Sequence, residues 1–309
     1  MRKKQYEGRE GLKSANKRRK KRWLLVAVVV LAVLLVAAFI YTPALPEVAK
    51  IADQMENVDG DLYFYGESDV GFIIYPGVKA DERSYAYIAQ QLNKEGHTVI
   101  IPNIPLHMAV YGPEQGLAIM EDNPQIEKWF LIGHSLGGLP ISQIAAEQPE
   151  KLEGVAFAAS LMILDLSNTD ISAIRITAEH DGVMPDKMME SNLNYLPENS
   201  VSVVIEGANH NQFGAYWHPG FDRTATITWK EQQDQMIALI LDFFHEQIHG
   251  GSEVGTATLL RKDIRAQKRI FSKNRALPAA GALGRISSAG TSCSSRRQQF
   301  QVTSSVRPR

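Results

Sequence analysis

The chain has one cysteine, Cys293, in 309 residues. That excludes an intramolecular disulfide framework and any cysteine-based metal cluster. Positive charge is also scarce where the chain is best patterned: residues 23–249 hold 10 Lys/Arg against 30 Asp/Glu, although the whole chain nets only −1. A surface of that sign argues against nucleic-acid binding by the folded part, because a phosphate backbone needs a positive footprint. The missing cations sit at the two ends, with 11 Lys/Arg against 2 acids in residues 1–22 and 12 against 2 in residues 250–309.

Charge, glycine and proline are all absent from Trp23 to Tyr41, about 19 residues of Leu, Val, Ala, Ile and Phe between two aromatics. At about 1.5 Å per residue this run crosses a bilayer's hydrocarbon layer. Trp23 and Tyr41 stand where amphipathic rings favour the interface, and Lys20, Lys21 and Arg22 place the N-terminus in the cytoplasm by the positive-inside rule. A single-pass helix in the cell membrane with an extracytoplasmic domain is expected. The alternative is a cleaved signal peptide, whose apolar stretch ordinarily runs about 7–15 residues. Residues 42–59 read as a linker, 60–249 as the folded domain, and 250–309 as a basic, disordered tail too poor in apolar residues to offset chain entropy. Such a tail suits anionic lipid headgroups or envelope polymers, or is simply solvated.

Within residues 60–249 apolar runs alternate with amphipathic segments. Strands are expected at Leu62–Tyr65, Val70–Tyr75, His97–Pro102, Lys128–Ile132, Gly154–Ala158, Ile171–Thr177 and Val201–Ile205. Helices are expected at Asp81–Asn93, Gly137–Gln148, Lys187–Leu193 and Trp229–Gln247. This order implies βαβ crossovers and a mostly parallel sheet covered by helices on both faces, with ligands at the carboxyl ends of the strands.

Gly133-His134-Ser135-Leu136-Gly137 follows one of those strands. A G-x-S-x-G pattern arises by chance in roughly one such chain in ten, so context must decide its meaning. A strand running into a sharp turn and then a helix exposes a serine at a helix N-terminus, where negative charge is favoured. Such a serine calls for an acid and a histidine after later strands. Asp181 and His210 stand there, with Glu179, Asp170 and Asp186 as competing acids and His180, His218, His245 and His249 as competing histidines.

With three motifs in this order, residues 60–248 resemble the α/β-hydrolase superfamily, specifically the small, nearly lidless group related to dienelactone hydrolases. The resemblance implies a nucleophile at Ser135, an acid at Asp181 and a base at His210. It also implies an oxyanion hole from the backbone N–H groups of Leu136 and Val78, with no metal and no cofactor. The usual His-Gly opening of the oxyanion loop is Pro76-Gly77 here, and Val78 stands where similar sequences often carry glycine. Backbone donation survives that change, but the pocket should be narrower. Gly77, His134, Met108 and Tyr111 are candidate substrate contacts, and His134 is more simply a packing or pocket-wall residue. The segments Pro105–Gly116 and Leu161–Asp170 are too short for a large helical lid. A carboxylic-ester hydrolase acting on a small-molecule or lipid-like ester is expected. The alternatives are an acyltransferase or thioesterase with the same triad and a non-catalytic envelope-binding module.

Overall fold

The computed structural model describes residues 42–104, 112–184, 186–217 and 222–249, and for 186–188 the backbone alone. The basic leader, the expected transmembrane run at 23–41, the tail from 250, and Met108 and Tyr111 lie outside the described residues. Among the described residues no helix is long and apolar enough to cross a membrane.

Eight strands form one sheet: β1 (Glu56–Val58), β2 (Asp61–Phe64), β3 (Val70–Tyr75), β4 (Thr98–Ile101), β5 (Lys128–His134), β6 (Gly154–Ala158), β7 (Ser172–Ala178) and β8 (Ser200–Ile205). Their spatial order is β1-β2-β4-β3-β5-β6-β7-β8. β4 to β8 and β3 run parallel, while β1 and β2 add antiparallel at one edge. β3 and β6 are free of polar residues because both faces of the sheet are covered there. In β3, Phe72 and Ile74 enter one core and Ile73 and Tyr75 the other, as a two-residue side-chain period requires.

The first core is closed by α1 (Pro46–Ala52), α2 (Ala86–Lys94) and α6 (Trp229–Phe243), the second by α3 (Pro113–Asp122) and α4 (Gly138–Glu147). Two short helices, α5 (Asp186–Ser191) and α7 (His245–His249), complete the described set. Thr228 and Glu231 form a reciprocal capping box that fixes the start of α6.

Residues 42–59, expected to be a linker, belong to the folded unit. Thr42 pairs with Ala80, Ala44 pairs with Tyr216, α1 buries Val48 and Ala52, and β1 pairs with β2 through the Asp59-Gly60 turn. Their periodicity is faint because α1 is only seven residues long and β1 three, mostly exposed. The expected loop Pro105–Gly116 ends earlier than read: Pro113 occupies the first turn of α3, a position that tolerates its missing N–H.

After β3 the chain crosses to β4 on one side and returns to β5 on the other. The carboxyl ends of β3 and β5 therefore lie side by side, with Tyr75 opposite Gly133, at the point where the strand order reverses. Open α/β sheets bind ligands at such a point.

Candidate active site

β5 ends at His134, and Ser135 turns sharply at φ +54°, a left-handed backbone rare for a residue with a side chain. A 3₁₀ turn over Ser135–Gly137 then leads into α4. Both flanking glycines are sterically required. A Cβ on Gly133 would lie 2.5 Å from the carbonyl oxygen of Gly137, and one on Gly137 would run into the carbonyl oxygens of Tyr75 and Pro76. The elbow is thus wedged against the end of β3. Leu136 lies in the first turn after the elbow, where amides lack intrahelical acceptors.

Of the acids and histidines named from the sequence, Asp181 and His210 are brought together. His210 Nδ1 lies 3.0 Å from Asp181 Oδ2, and the His210 side chain is buried. The other carboxylate oxygen, Oδ1, accepts the backbone N–H groups of Val183 at 2.9 Å and Met184 at 2.8 Å. Burial alone would raise the Asp181 carboxyl. The hydrogen bonds from His210 and the two amides outweigh it and hold the group below the ordinary carboxylate range. Among the competitors, Glu179 accepts the Gly207 N–H at 2.8 Å and lies 3.8 Å from His180 Nε2, while the His245 and His249 rings lie tilted 4.6 Å apart on α7. His218 lies outside the described residues.

Two residues not singled out in the sequence tie this cluster together. Asp222 receives the Gly182 N–H on Oδ1 at 2.7 Å and the Asn211 N–H on Oδ2 at 2.8 Å, so one carboxylate joins the acid loop to the histidine loop. Gln232 of α6 does the same from behind: its Oε1 accepts the Asn209 N–H at 3.1 Å and its Nε2 donates to the Asn209 carbonyl at 2.8 Å.

His134 and Gly77, candidates for substrate contact, are occupied elsewhere. His134 is buried, its Nε2 3.1 Å from the His210 carbonyl and its Nδ1 2.7 Å from Tyr85 Oη. A carbonyl only accepts, so Nε2 carries the proton and the tyrosine hydroxyl donates to Nδ1. Tyr85 Oη in turn accepts the Gly77 N–H at 2.8 Å. Burial, reinforced by the neighbouring His210, pushes His134 well below the ordinary histidine range and keeps it neutral. Burial likewise raises the Tyr85 phenol, which stays a donor. The amide of Gly77 is therefore committed, and Val78, 39% exposed, is the next residue toward solvent. A Cβ on Gly77 would stand 3.4 Å from that of Ser135, which places this loop against the elbow.

Nothing in sequence spacing marks Tyr85 or Asp222. Tyr85 reads as one more apolar position of an amphipathic segment, and Asp222 as one of many surface acids. Among the described residues no group of three or more His, Cys, Asp or Glu side chains could hold a metal.

Solved structures are similar to this chain. MGS-MChE2, an alpha/beta hydrolase enzyme from the metagenome of lagoon sediments of Mar Chica, Morocco, is 14% identical, with 63% of this chain and 99% of that chain covered and a TM-score of 0.50. A monoacylglycerol lipase from Paleococcus ferrophilus is 13% identical, covering 61% and 100% with a TM-score of 0.46. Est1E from Butyrivibrio proteoclasticus, solved with ferulic acid, is 12% identical, covering 62% and 99% with a TM-score of 0.45. No curated protein matches the chain in sequence. A family model does, over residues 71–234, more than half of the chain and the stretch that holds the elbow, the acid loop and the histidine loop: the chain belongs to the alpha/beta hydrolase family.

Proposed function

We propose that this protein is a membrane-anchored serine hydrolase of carboxylic esters, of the small, dienelactone-hydrolase-like kind. The observation that carries the reading is the 3.0 Å contact of His210 Nδ1 with an amide-stabilised Asp181, on loops joined to each other and to the elbow that presents Ser135. With Nδ1–H held by the carboxylate, His210 Nε2 has a free lone pair. It takes the proton of Ser135 as Oγ attacks the ester carbonyl, then returns it to the departing alcohol. Asp181 fixes the tautomer and stabilises the imidazolium. Water repeats the sequence on the acyl-enzyme and frees the acid. The N–H groups of Leu136 and Val78 receive the oxyanion, each such donor contributing about 3–4 kcal/mol in comparable sites. The run Trp23–Tyr41 serves as the anchor, with the basic leader inside and the hydrolase outside.

Labelling of the full-length, detergent-solubilised protein with a fluorophosphonate, alongside turnover of short and long p-nitrophenyl esters, tests the chemistry. Labelling and turnover should both vanish in Ser135→Ala. Labelling that persists there refutes the nucleophile, and labelling without ester turnover favours transfer to another acceptor. Protease added to intact cells tests topology, since a catalytic domain protected from outside reverses the orientation.

A further inference from the structure

Residues 42–45, which follow the apolar run in sequence, lie along the rim of the site. Thr42 donates its backbone N–H and its hydroxyl to the Lys79 carbonyl, both at 3.1 Å, and its own carbonyl accepts the Asp81 N–H at 3.0 Å. Pro43 accepts the Trp217 N–H at 3.0 Å, and Leu45 donates to the Ala215 carbonyl at 2.9 Å. This short stretch therefore lies between the loop carrying Val78 and the loop carrying His210. Tyr41, the last residue of the apolar run, immediately precedes Thr42 in the sequence.

The exposed apolar residues cluster at the same end of the molecule. Seven large hydrophobic side chains are exposed among the described residues. Four of them, Val78 (39%), Ile163 (52%), Val183 (42%) and Trp217 (64%), lie on segments that follow the carboxyl ends of β3, β6, β7 and β8. Such a rim is costly in water and fits a lipid surface, where tryptophan in particular favours the interface.

We infer that the mouth of the site is seated on the bilayer from which the anchor emerges, and that the enzyme's substrates are lipid esters taken up from that bilayer. The inference rests on the reading of residues 23–41 as a membrane span. A headgroup layer is only about 6 Å thick, so an oxyanion loop hydrogen-bonded to the first residue after the span stands at the level of the headgroups. The apolar rim meets the lipid, and an ester at that depth reaches Ser135 without crossing water. Residues 42–45 act as a fixed strut that sets this orientation, where a flexible linker would let the domain tumble.

The full-length protein in phosphatidylcholine vesicles tests this, in a Cys293→Ser background with one fluorophore at Trp217→Cys or, at the opposite end of the sheet, at Tyr65→Cys. A nitroxide on the lipid acyl chain near the headgroup should quench the probe at position 217 several-fold more than the probe at 65. A second variant inserts a Gly/Ser segment of about 20 residues, spanning about 25 Å, between Tyr41 and Thr42. It should lower turnover of a vesicle-borne long-chain ester several-fold while leaving turnover of a soluble short ester unchanged. Equal quenching at both positions, or an unchanged ratio of the two turnovers, in protein that floats with the vesicles overturns the inference and leaves the anchor standing. Protein that fails to float overturns the anchor reading and the inference with it.

Discussion

Tyr85 Oη lies 2.7 Å from His134 Nδ1, and through that contact the loop carrying Gly77, the turn carrying Ser135 and the loop carrying His210 share one directed hydrogen-bond chain. The Gly77 N–H donates to the tyrosine, the tyrosine to His134, and His134 Nε2 to the carbonyl of His210. Tyr85→Phe removes the central hydroxyl and strands two buried groups. Unfolding stability should fall by about 1–3 kcal/mol, the usual cost of a buried unsatisfied polar group. The kcat for a short ester should fall about tenfold, equivalent to about 1.4 kcal/mol, as Val78 drifts from the carbonyl position. Denaturant melts and steady-state kinetics read both; a KM effect with kcat intact would show that the chain positions substrate, not the oxyanion.

Asp181→Asn keeps the shape but removes the charge that holds His210 Nδ1–H. The kcat should fall by about 10³–10⁴, as in comparable triads, with the melting midpoint little changed. A loss below about tenfold in steady-state turnover would pass the acid role to another residue.

Asp222→Ala unclips the loop of Asp181 from the loop of His210 without touching either of those side chains. Fluorophosphonate labelling should slow, and amide exchange at Gly182 and Asn211 should accelerate, since their shared acceptor is gone. Unchanged exchange at both amides would contradict the clip.

Acid should destabilise the fold before it reaches the carboxylates. His134 is held well below the ordinary histidine range by burial, and burial pushes His97 down to about 4. A histidine whose folded pKa is depressed binds its proton more readily when unfolded. Stability is therefore full above about pH 6.5 and is lost as pH falls from there toward the folded values, by at most about 1.4 kcal/mol per pH unit per histidine. Asp181, depressed in the fold, adds its own loss only below the ordinary carboxylate range. Urea midpoints measured from pH 7.5 to pH 4.5 should slope downward, and His97→Gln should flatten the slope.

Strands with strong patterns were legible in the sequence: Val70–Tyr75 and Gly154–Ala158 have the expected bounds because a fully buried parallel strand is an unbroken apolar run. The meeting of Asp181 with His210 was legible because each follows a strand end, and chain order restricts the choice. The course of residues 42–45 was not, since most of its hydrogen bonds join main chain to main chain across distant loops and leave no signature in residue type. Tyr85 and Asp222 escaped for a related reason. Their roles depend on which loops meet in space, and a tyrosine on an amphipathic segment or an aspartate on an acidic surface has a simpler explanation until that meeting is seen.

Gln232 holds the histidine loop by gripping the main chain of Asn209 with both ends of its amide. Ser135 is synthesised almost a hundred residues before that glutamine. At about 5–20 residues per second the nascent chain carries its serine for roughly 5–20 s before the segment that fastens His210 exists. On the proposed mechanism the serine has no secured base throughout that interval, so turnover awaits the docking of α6, the last long helix among the described residues.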